Sequence, residues 1–235
     1  MENKKDQLTV QMAIIISGIL ISGSILLGFS WIRDNQAQKE DTLKNAQIDN
    51  FKIKPVSLED RMSGNPKAKV SIIEYADFQC PFCGKFFKEV KQDMTEKYIK
   101  TGEVNFVYRD FAFLGDESIK SAEASRCAGE QDTNKFWQYH DYLFTHQKGE
   151  NKGAFSDNNL KSFAKIMGLD IDKFNQCLDS GKYTKAIMDS TTEGGNAGVQ
   201  GTPKGFILRN GKIVDTIDGA EPRNIVFSKI DKALK

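Results

Sequence analysis

The motif CPFC at residues 80–83 constrains this chain more than any other feature, because it places two cysteines one helical turn apart. The apolar run VSIIEYA at residues 70–76 precedes the motif and predicts a buried strand. From Gly84 onward, apolar residues recur with helical spacing. A CxxC motif between a strand and a helix is typical of a redox-active cysteine pair.

Helix geometry assigns different roles to the two cysteines. The first N–H groups of a helix lack intrahelical partners and carry partial positive charge, so they stabilise a thiolate beside them. Cys80 precedes the helix and is expected to be the exposed nucleophile. Cys83 lies one turn inside and is placed to attack the mixed disulfide that Cys80 forms. Pro81 suits a first turn that needs no N–H, and because Phe82 is neutral, the helix and backbone must supply most of the stabilisation.

Two other interpretations of the motif are weaker. A zinc half-site needs two further ligands, and the remaining candidates, Cys127, Cys177, His140 and His146, do not provide a second pair at zinc-finger spacing. A purely structural disulfide would close a very short loop, and short loops give little entropic stabilisation. Histidines on a segment dense in aromatic residues are more often solvent-facing or structural than ligands. We therefore expect a redox role for residues 80–83.

Composition excludes several functional classes. The chain has 235 residues and a formal net charge of +1, with 28% charged and 39% hydrophobic residues. This balance is ordinary for a globular protein and lacks the basic excess of a nucleic-acid-binding protein. The residues after the first 32 are enough for one domain with a substantial core.

The N-terminal stretch at residues 10–32 carries no charge and is long enough to cross a bilayer. Trp31 lies at its far end, where an interfacial anchor is expected. A cleaved signal peptide ending near Ser30 is the alternative, but the apolar run is longer than a typical signal core. We predict a short cytoplasmic tail at residues 1–9, an uncleaved anchor, a polar linker at residues 33–56, and an extracytoplasmic domain, where disulfides persist.

Glu74 is unusual because it interrupts the predicted strand on the face shared by Val70 and Ile72. A half-buried carboxylate near the thiols could carry a proton to or from Cys83. The alternative is a charge at the end of a strand that reaches water. Spacing alone does not separate these two interpretations.

A strand–helix–strand unit surrounds the motif. Apolar residues at 86, 90, 94 and 98 form one face of a helix that ends near Gly102, and apolar residues then alternate at 104, 106 and 108. The two strands are expected to be parallel.

The stretch from about 116 to 196 has no strand pattern and predicts a helical insertion. We predict helices over Glu117–Glu130, Thr133–His146, Asn158–Met167, Ile171–Asp179 and Tyr183–Asn196. Cys127 and Cys177 lie in this region. They are expected either to form a structural disulfide or to remain buried free thiols.

A hairpin and a closing helix complete the predicted domain. Asn210-Gly211 between two apolar runs is a strong hairpin signal. Residues 221–234 predict a helix with Ile225, Val226, Ile230 and Leu234 facing inward. Because most X-Pro bonds are trans, the sequence alone favours trans for the bond before the residue at 203.

The motifs EYADFQCPFC, CAGEQDTNKFWQYHDYLF, FNQCLDSGKY and GVQGTPKGFIL, in this order, resemble the DsbA family of disulfide oxidoreductases, particularly its membrane-tethered bacterial members. The resemblance spans about Val56 to Lys235. It implies an α/β thioredoxin-like fold with an inserted helical subdomain, which the predicted transmembrane helix precedes.

The resemblance also implies roles for individual residues. Cys80 matches the family's nucleophile, Cys83 the resolving cysteine and Glu74 its buried acid. Thr202 and Pro203 match a loop with a cis proline that packs against the CxxC and pairs with extended substrate. Cys127 and Cys177 lie where some relatives carry a second, structural disulfide. With this loop, Pro81 and Phe82 are expected to form the substrate-binding surface.

Two positions depart from the family pattern. Phe82 replaces the histidine of the best-known members, which bears on oxidising power because the residues between the cysteines tune thiolate stability. Lys204 follows the proline where relatives often have a small or uncharged residue. It is expected to favour a thiolate or an acidic substrate, or simply to be solvated.

These features predict a membrane-anchored, extracytoplasmic thiol–disulfide oxidoreductase that acts as an oxidase on exported proteins with free thiols. A quinone-linked membrane protein would reoxidise it, and no metal, nucleotide or flavin cofactor is implied. The alternatives are a reductase or isomerase, which differ in redox poise, and a tethered peptide-binding chaperone. The sequence contains no dedicated dimerisation segment, so a monomer is expected.

Overall fold

The computed structural model describes residues 59–235 without a gap, together with residues 50–57 and isolated positions between 31 and 48. The chain divides into two compact units, residues 1–47 and 48–235. The predicted anchor at 10–32 lies outside the described residues except for its last two positions. Within the described part of the chain, no helix combines the length and the apolar character that a bilayer span requires.

The described residues of the second unit form a five-stranded sheet in the order β1-β3-β2-β4-β5. Strands β2 and β3 are parallel, and the other neighbouring pairs are antiparallel. The strands are β1 (Arg61–Gly64), β2 (Val70–Ala76), β3 (Val104–Asp110), β4 (Lys204–Arg209) and β5 (Lys212–Asp218). The parallel pairing of β2 and β3 confirms the predicted strand–helix–strand unit.

One long helix, α1, connects β2 to β3 over residues 81–99 and contains two π-helical turns. Its segments are Pro81–Phe86, the π turn Phe87–Lys91, Gln92–Met94 and the π turn Thr95–Ile99. The insertion contributes α2 (Asp116–Gln131), α3 (Thr133–Thr145), α4 (Asp157–Ile166), α5 (Ile171–Asp179) and α6 (Thr184–Asn196), and α7 (Arg223–Leu234) follows the hairpin. The insertion helices agree with the predicted ones to within one residue at each end.

Helix α1 begins at Pro81, as expected for a proline in the first helical turn. Two details differ from the predictions. Strand β1 was not predicted, because RMSG is short and lacks alternating apolar residues. Ile225 was expected to face inward but is 43% exposed, whereas Val226 and Ile230 are fully buried, because α7 turns only a narrow stripe towards the core.

The two faces of the sheet carry separate cores. The larger core holds both cysteines of the CxxC together with α1, α7 and much of the insertion. The smaller core gathers Tyr75, Phe111 and Phe206 on the opposite face, and Phe51, Ile53 and Val56 pack against it.

The end of the predicted polar linker therefore belongs to the folded unit. Arg109 donates to the carbonyls of Lys54 and Pro55 at 3.0 and 3.1 Å. The N–H of Lys54 donates to Glu193 at 3.0 Å. This lysine-containing segment thus holds three apolar residues whose packing on the sheet face its composition does not reveal.

Candidate active site around the CxxC motif

The start of α1 places the two cysteines. Cys80 is the N-cap, in an extended conformation (φ −67°, ψ 120°), and Pro81 occupies the first helical position. The carbonyl of Cys80 accepts the first helical hydrogen bond from the N–H of Gly84 at 3.1 Å. Cys83 is fully buried, and Cys80 is 5% exposed. The free thiols therefore lie at the positively polarised end of a helix, as the motif predicted.

The loop before β4 completes the site. The Cys80 thiol donates to the carbonyl of Thr202 at 3.3 Å. The bond between Thr202 and Pro203 is cis, so the trans expectation from general statistics is wrong and the form implied by the family resemblance is present. A loop more than a hundred residues away along the chain thus contacts the first cysteine.

The environment of Cys80 favours its thiolate. The pKa of Cys80 is lowered to about 6, chiefly by a hydrogen bond from the Cys83 thiol and against the opposing effect of burial. The backbone N–H groups of Cys83 and Phe82 contribute to this lowering. The stabilisation therefore comes mainly from the Cys83 thiol and from backbone donors rather than from a neighbouring cation.

Cys83 has the opposite tendency. Burial raises its pKa well above the ordinary value, and the interaction with the Cys80 sulfur raises it further. One thiol of the pair thus ionises readily, while the other keeps its proton. This asymmetry suits a nucleophile and a resolving cysteine.

Glu74 is buried, with 4% of its surface exposed, so the interpretation of this residue as a strand-end charge that reaches water is wrong. In the sheet it stands opposite Tyr108 on β3 and Gly205 on β4. Burial raises the pKa of this carboxyl to about 8, against the lowering effect of Lys91 and with a further rise from Cys80. Its charge in turn raises the pKa of Cys83. The carboxyl is thus protonated near neutral pH and electrostatically coupled to the resolving thiol.

Lys91, which the sequence analysis did not single out, interacts electrostatically with Glu74. Lys91 is 6% exposed and contacts Asp141 at 3.1 Å. The same carboxylate accepts from Nδ1 of His140 at 2.7 Å. Burial lowers the pKa of His140 to about 4, so this histidine is neutral and structural. His146 is exposed and stacks on a tyrosine ring.

A polar network fixes the loop between β2 and α1. Asp77 accepts from the hydroxyl of Ser118 at 2.7 Å and from the N–H of Gln79 at 2.8 Å. Oε1 of Gln79 accepts from the N–H of Asn151 at 2.6 Å. Gln147 donates to two carbonyls of the same loop. No sequence signal marks these residues, because their partners come from the distant insertion.

The surface around the thiols is partly apolar. Phe82 is 62% exposed, and Pro81 is also exposed. Lys204 was expected to favour a thiolate or an acidic substrate, or to be solvated, and the structure shows none of these. It is buried and forms an ion pair with Asp218, and its Nζ lies 4.6 Å from the centre of the Phe51 ring. It packs with the smaller core, on the sheet face opposite the thiols, so it neither borders the thiolate nor projects into solvent.

Cys127 and Cys177 form a disulfide between α2 and α5, with a Cα–Cα distance of 5.8 Å. Of the two alternatives left by the sequence, the structure therefore has the disulfide rather than free thiols. Because each sulfur is bonded to the other, neither is available as a zinc ligand for the CxxC. The structure thus brings Glu74 and the Thr202–Pro203 loop to the CxxC and leaves this disulfide in the insertion.

Comparison with known proteins agrees with this geometry. The family profile described as thioredoxin matches residues 57–226. The chain belongs to the thioredoxin family. This thioredoxin-family chain is 29% identical to a putative protein-disulfide oxidoreductase of Rickettsia felis, over 86% of this chain and 72% of that protein. It is 27% identical to a probable disulfide bond formation protein D of Bacillus cereus, over 63% of this chain and 69% of that protein.

Among solved structures, alpha-DsbA1 of Wolbachia pipientis superposes on 77% of this chain and 93% of its own, with a TM-score of 0.69 and 24% identity. The thioredoxin-like fold with helical insertion is thereby confirmed, and so is the resemblance to the DsbA family. The chain is a thiol–disulfide oxidoreductase of the DsbA type.

Proposed function

We propose that this protein is an oxidase that donates a Cys80–Cys83 disulfide to exported proteins. The observation that carries the proposal is the asymmetry between a Cys80 pKa lowered to about 6 and a Cys83 pKa raised by burial. At pH 7, a thiol with that pKa is roughly nine-tenths ionised. A reduced form stabilised by its own thiolate makes the corresponding disulfide a strong oxidant.

The reaction proceeds by two thiol–disulfide exchanges. A substrate thiolate attacks the Cys80 sulfur, the enzyme disulfide breaks, and Cys83 leaves as a thiolate that takes up a proton. A second substrate thiolate then attacks the substrate sulfur of the mixed disulfide and releases Cys80 as a stable thiolate. The substrate gains one disulfide and loses two electrons, which the reduced enzyme now carries.

Glu74 is proposed to deliver the proton that Cys83 needs. Its carboxyl is buried, is coupled to Cys83 and has a pKa of about 8, so it holds a proton at neutral pH. A buried leaving thiolate is costly without such a donor. During reoxidation the same carboxylate would take the proton back.

The substrate-binding surface is proposed to consist of Pro81 and Phe82 on one side and the Thr202–Pro203 loop on the other. An extended substrate segment would pair with the backbone at Thr202 by strand addition. The exposed ring of Phe82 would contact apolar side chains, which unfolded exported chains present. Residues 10–32 are proposed to anchor the domain outside the cytoplasm, and a quinone-linked membrane protein to reoxidise it.

The competing functions make different predictions. A reductase would need a pair that is stable as a disulfide, which a readily ionised Cys80 does not favour. A tethered chaperone would retain full activity after Cys80→Ser and Cys83→Ser together. The asymmetry between the two thiols has no use in a chaperone, and it therefore favours the oxidase.

The decisive measurement is the equilibrium reduction potential of the Cys80–Cys83 pair in a glutathione buffer series. Cys127→Ser/Cys177→Ser serves as a parallel sample to separate the second disulfide. We expect a value well above the roughly −270 mV of thioredoxin and towards the roughly −120 mV of a strong oxidant. A value at or below that of thioredoxin would overturn the assignment as an oxidase. Full oxidation of a reduced substrate by the Cys80→Ser variant would overturn the assignment of Cys80 as the catalytic nucleophile.

A further inference from the structure

The side chain of Gln147 reaches the backbone around the nucleophile from just beyond the end of α3. Its Nε2 donates to the carbonyl of Phe78 at 2.5 Å and to the carbonyl of Cys80 at 3.1 Å. The Cys80 carbonyl is also the first acceptor of α1, where it binds the N–H of Gly84. One amide from the helical insertion thus holds two carbonyls of the loop that carries the nucleophile.

Gly84 provides a second, independent observation at the same place. A glycine inside a helix weakens it relative to alanine, and the backbone of Gly84 is helical, so no left-handed conformation requires a glycine there. A Cβ at this position would overlap Oε1 of Gln147. The space that the missing side chain leaves is therefore filled by the Gln147 amide.

The orientation of the Cys80 peptide matters for its sulfur. The thiolate is stabilised in part by the N–H groups of Phe82 and Cys83, which it meets only while Cys80 keeps its extended N-cap conformation. Donors on the Phe78 and Cys80 carbonyls restrain the backbone on both sides of the Cys80 Cα. Without them, the N-cap could rotate and the sulfur would lose alignment with those N–H groups.

We propose that Gln147 is a positioning residue for the nucleophile Cys80, and that position 84 is a glycine because the Gln147 amide must pack there. The proposal rests on the proposed role of Cys80, and it gives the helical insertion a part in setting the reactivity of the CxxC. It assigns no direct contact between Gln147 and substrate.

The other explanation is that Gln147 only ties the insertion to the rest of the domain. Asn151 offers a matched control, because it ties the same insertion loop to the same active-site loop. Its side chain donates to the carbonyl of Leu114 at 2.8 Å and accepts from Gln79 at 3.3 Å, but it does not touch a Cys80 atom. Asn151 has a positive φ of 52°, so Asn151→Gly removes these contacts without straining the backbone.

The test is a pH titration of the Cys80 thiolate in the reduced full chain, followed by thiolate absorbance and by alkylation rate. Cys80→Ser identifies the signal. Gln147→Met keeps the length of the side chain and removes the donor. We expect it to raise the Cys80 midpoint by about half a pH unit or more, a roughly threefold loss of thiolate below the midpoint. Asn151→Gly is expected to leave the midpoint unchanged.

Gly84→Ala approaches the same contact from the helix and covers the case in which Gln147→Met does not fold. Alanine favours the helix, so a purely structural glycine predicts a more stable protein with an unchanged midpoint. Displacement of the Gln147 amide predicts a raised midpoint instead. The proposal is overturned if both variants titrate like the parent protein, or if Asn151→Gly shifts the midpoint as far as Gln147→Met. Substrate oxidation by Cys80→Ser would contradict the proposed function and leave this titration result unaffected.

Discussion

Replacing Glu74 by glutamine should abolish a loss of stability that the wild-type protein undergoes as the pH rises. The carboxyl has a pKa of about 8 in the folded state against 4.5 when exposed, because burial disfavours its charge. The folded state therefore holds this proton more tightly than the unfolded state does. The associated stability is fully present below pH 4.5 and is lost as the pH rises towards 8. Glutamine has the same shape and does not ionise, so it removes this loss.

The size of the effect follows from the difference between the two pKa values. Each pKa unit corresponds to about 1.4 kcal/mol. The wild type should therefore lose about 1 kcal/mol to this group at pH 5, about 3 kcal/mol at pH 7 and, above pH 8, a constant amount of about 5 kcal/mol. The packing and hydrogen bonding of the introduced glutamine add an offset that does not depend on pH. The difference in unfolding free energy between Glu74→Gln and the wild type should consequently grow by about 2 kcal/mol from pH 5 to pH 7.

Urea denaturation of both proteins at pH 5, 6, 7, 8 and 9, under identical reducing conditions, measures this difference. Titration of the other groups cancels to first order because both proteins contain them. Glu89→Gln is the matched control substitution, since Glu89 lies at an exposed position of the same helix α1. A stability difference that is equal at pH 5 and pH 8 would refute the reasoning, because Glu74 would then not hold a proton at neutral pH. Such a result would also remove the proposed proton donor for Cys83.

Three further predictions concern other parts of the domain. Cys127→Ser together with Cys177→Ser should lower the free energy of unfolding by about 4 kcal/mol, from the chain entropy of the 50-residue separation, and a loss below about 1 kcal/mol in urea denaturation would contradict this. Arg109→Met should lower the free energy of unfolding by about 3–5 kcal/mol, because it breaks a buried ion pair and removes the hydrogen bonds to residues 54–55. Arg223→Met, at an exposed ion pair, should lower it by less than about 1 kcal/mol. Equal losses in the two variants would contradict this prediction. Phe82→His should lower the pKa of Cys80 further and raise the reduction potential in the glutathione series, since a partial positive charge would adjoin the thiolate, and an unchanged potential would exclude this effect.

The linker prediction illustrates a limit of composition. Residues 51–56 alternate lysine with apolar residues and resemble a solvated tether. In the structure they pack on the smaller core, held by Phe51 against Phe206 and by Arg109 against two carbonyls. The alternation alone does not show what these residues pack against, because their partners lie more than fifty residues further along the chain. The packing of Lys204 against Phe51 could not be predicted for the same reason, because the two residues are far apart in the sequence. The position of Lys204 after a proline had instead suggested a role at the thiols.

Sequence alone determined the features that depend on local periodicity and local chemistry. The strand, the CxxC and the helix follow one another within thirty residues, and the tight turn of the hairpin has the positive φ at Asn210 and Gly211 that its sequence requires. Helix start and stop signals predicted the insertion helices to within one residue at each end, because caps and breaks act on neighbouring backbone groups. The motif also placed both thiols at the N-terminal end of a helix.

Only the tertiary structure decided how these groups behave. Burial decides whether the Glu74 carboxyl is protonated or charged at neutral pH, and no sequence spacing reveals that burial. The amide that restrains Cys80 comes from the insertion, 67 residues away. Burial and contacts between distant segments set these properties, because electrostatic and hydrogen-bond energies depend on separation in space rather than along the chain.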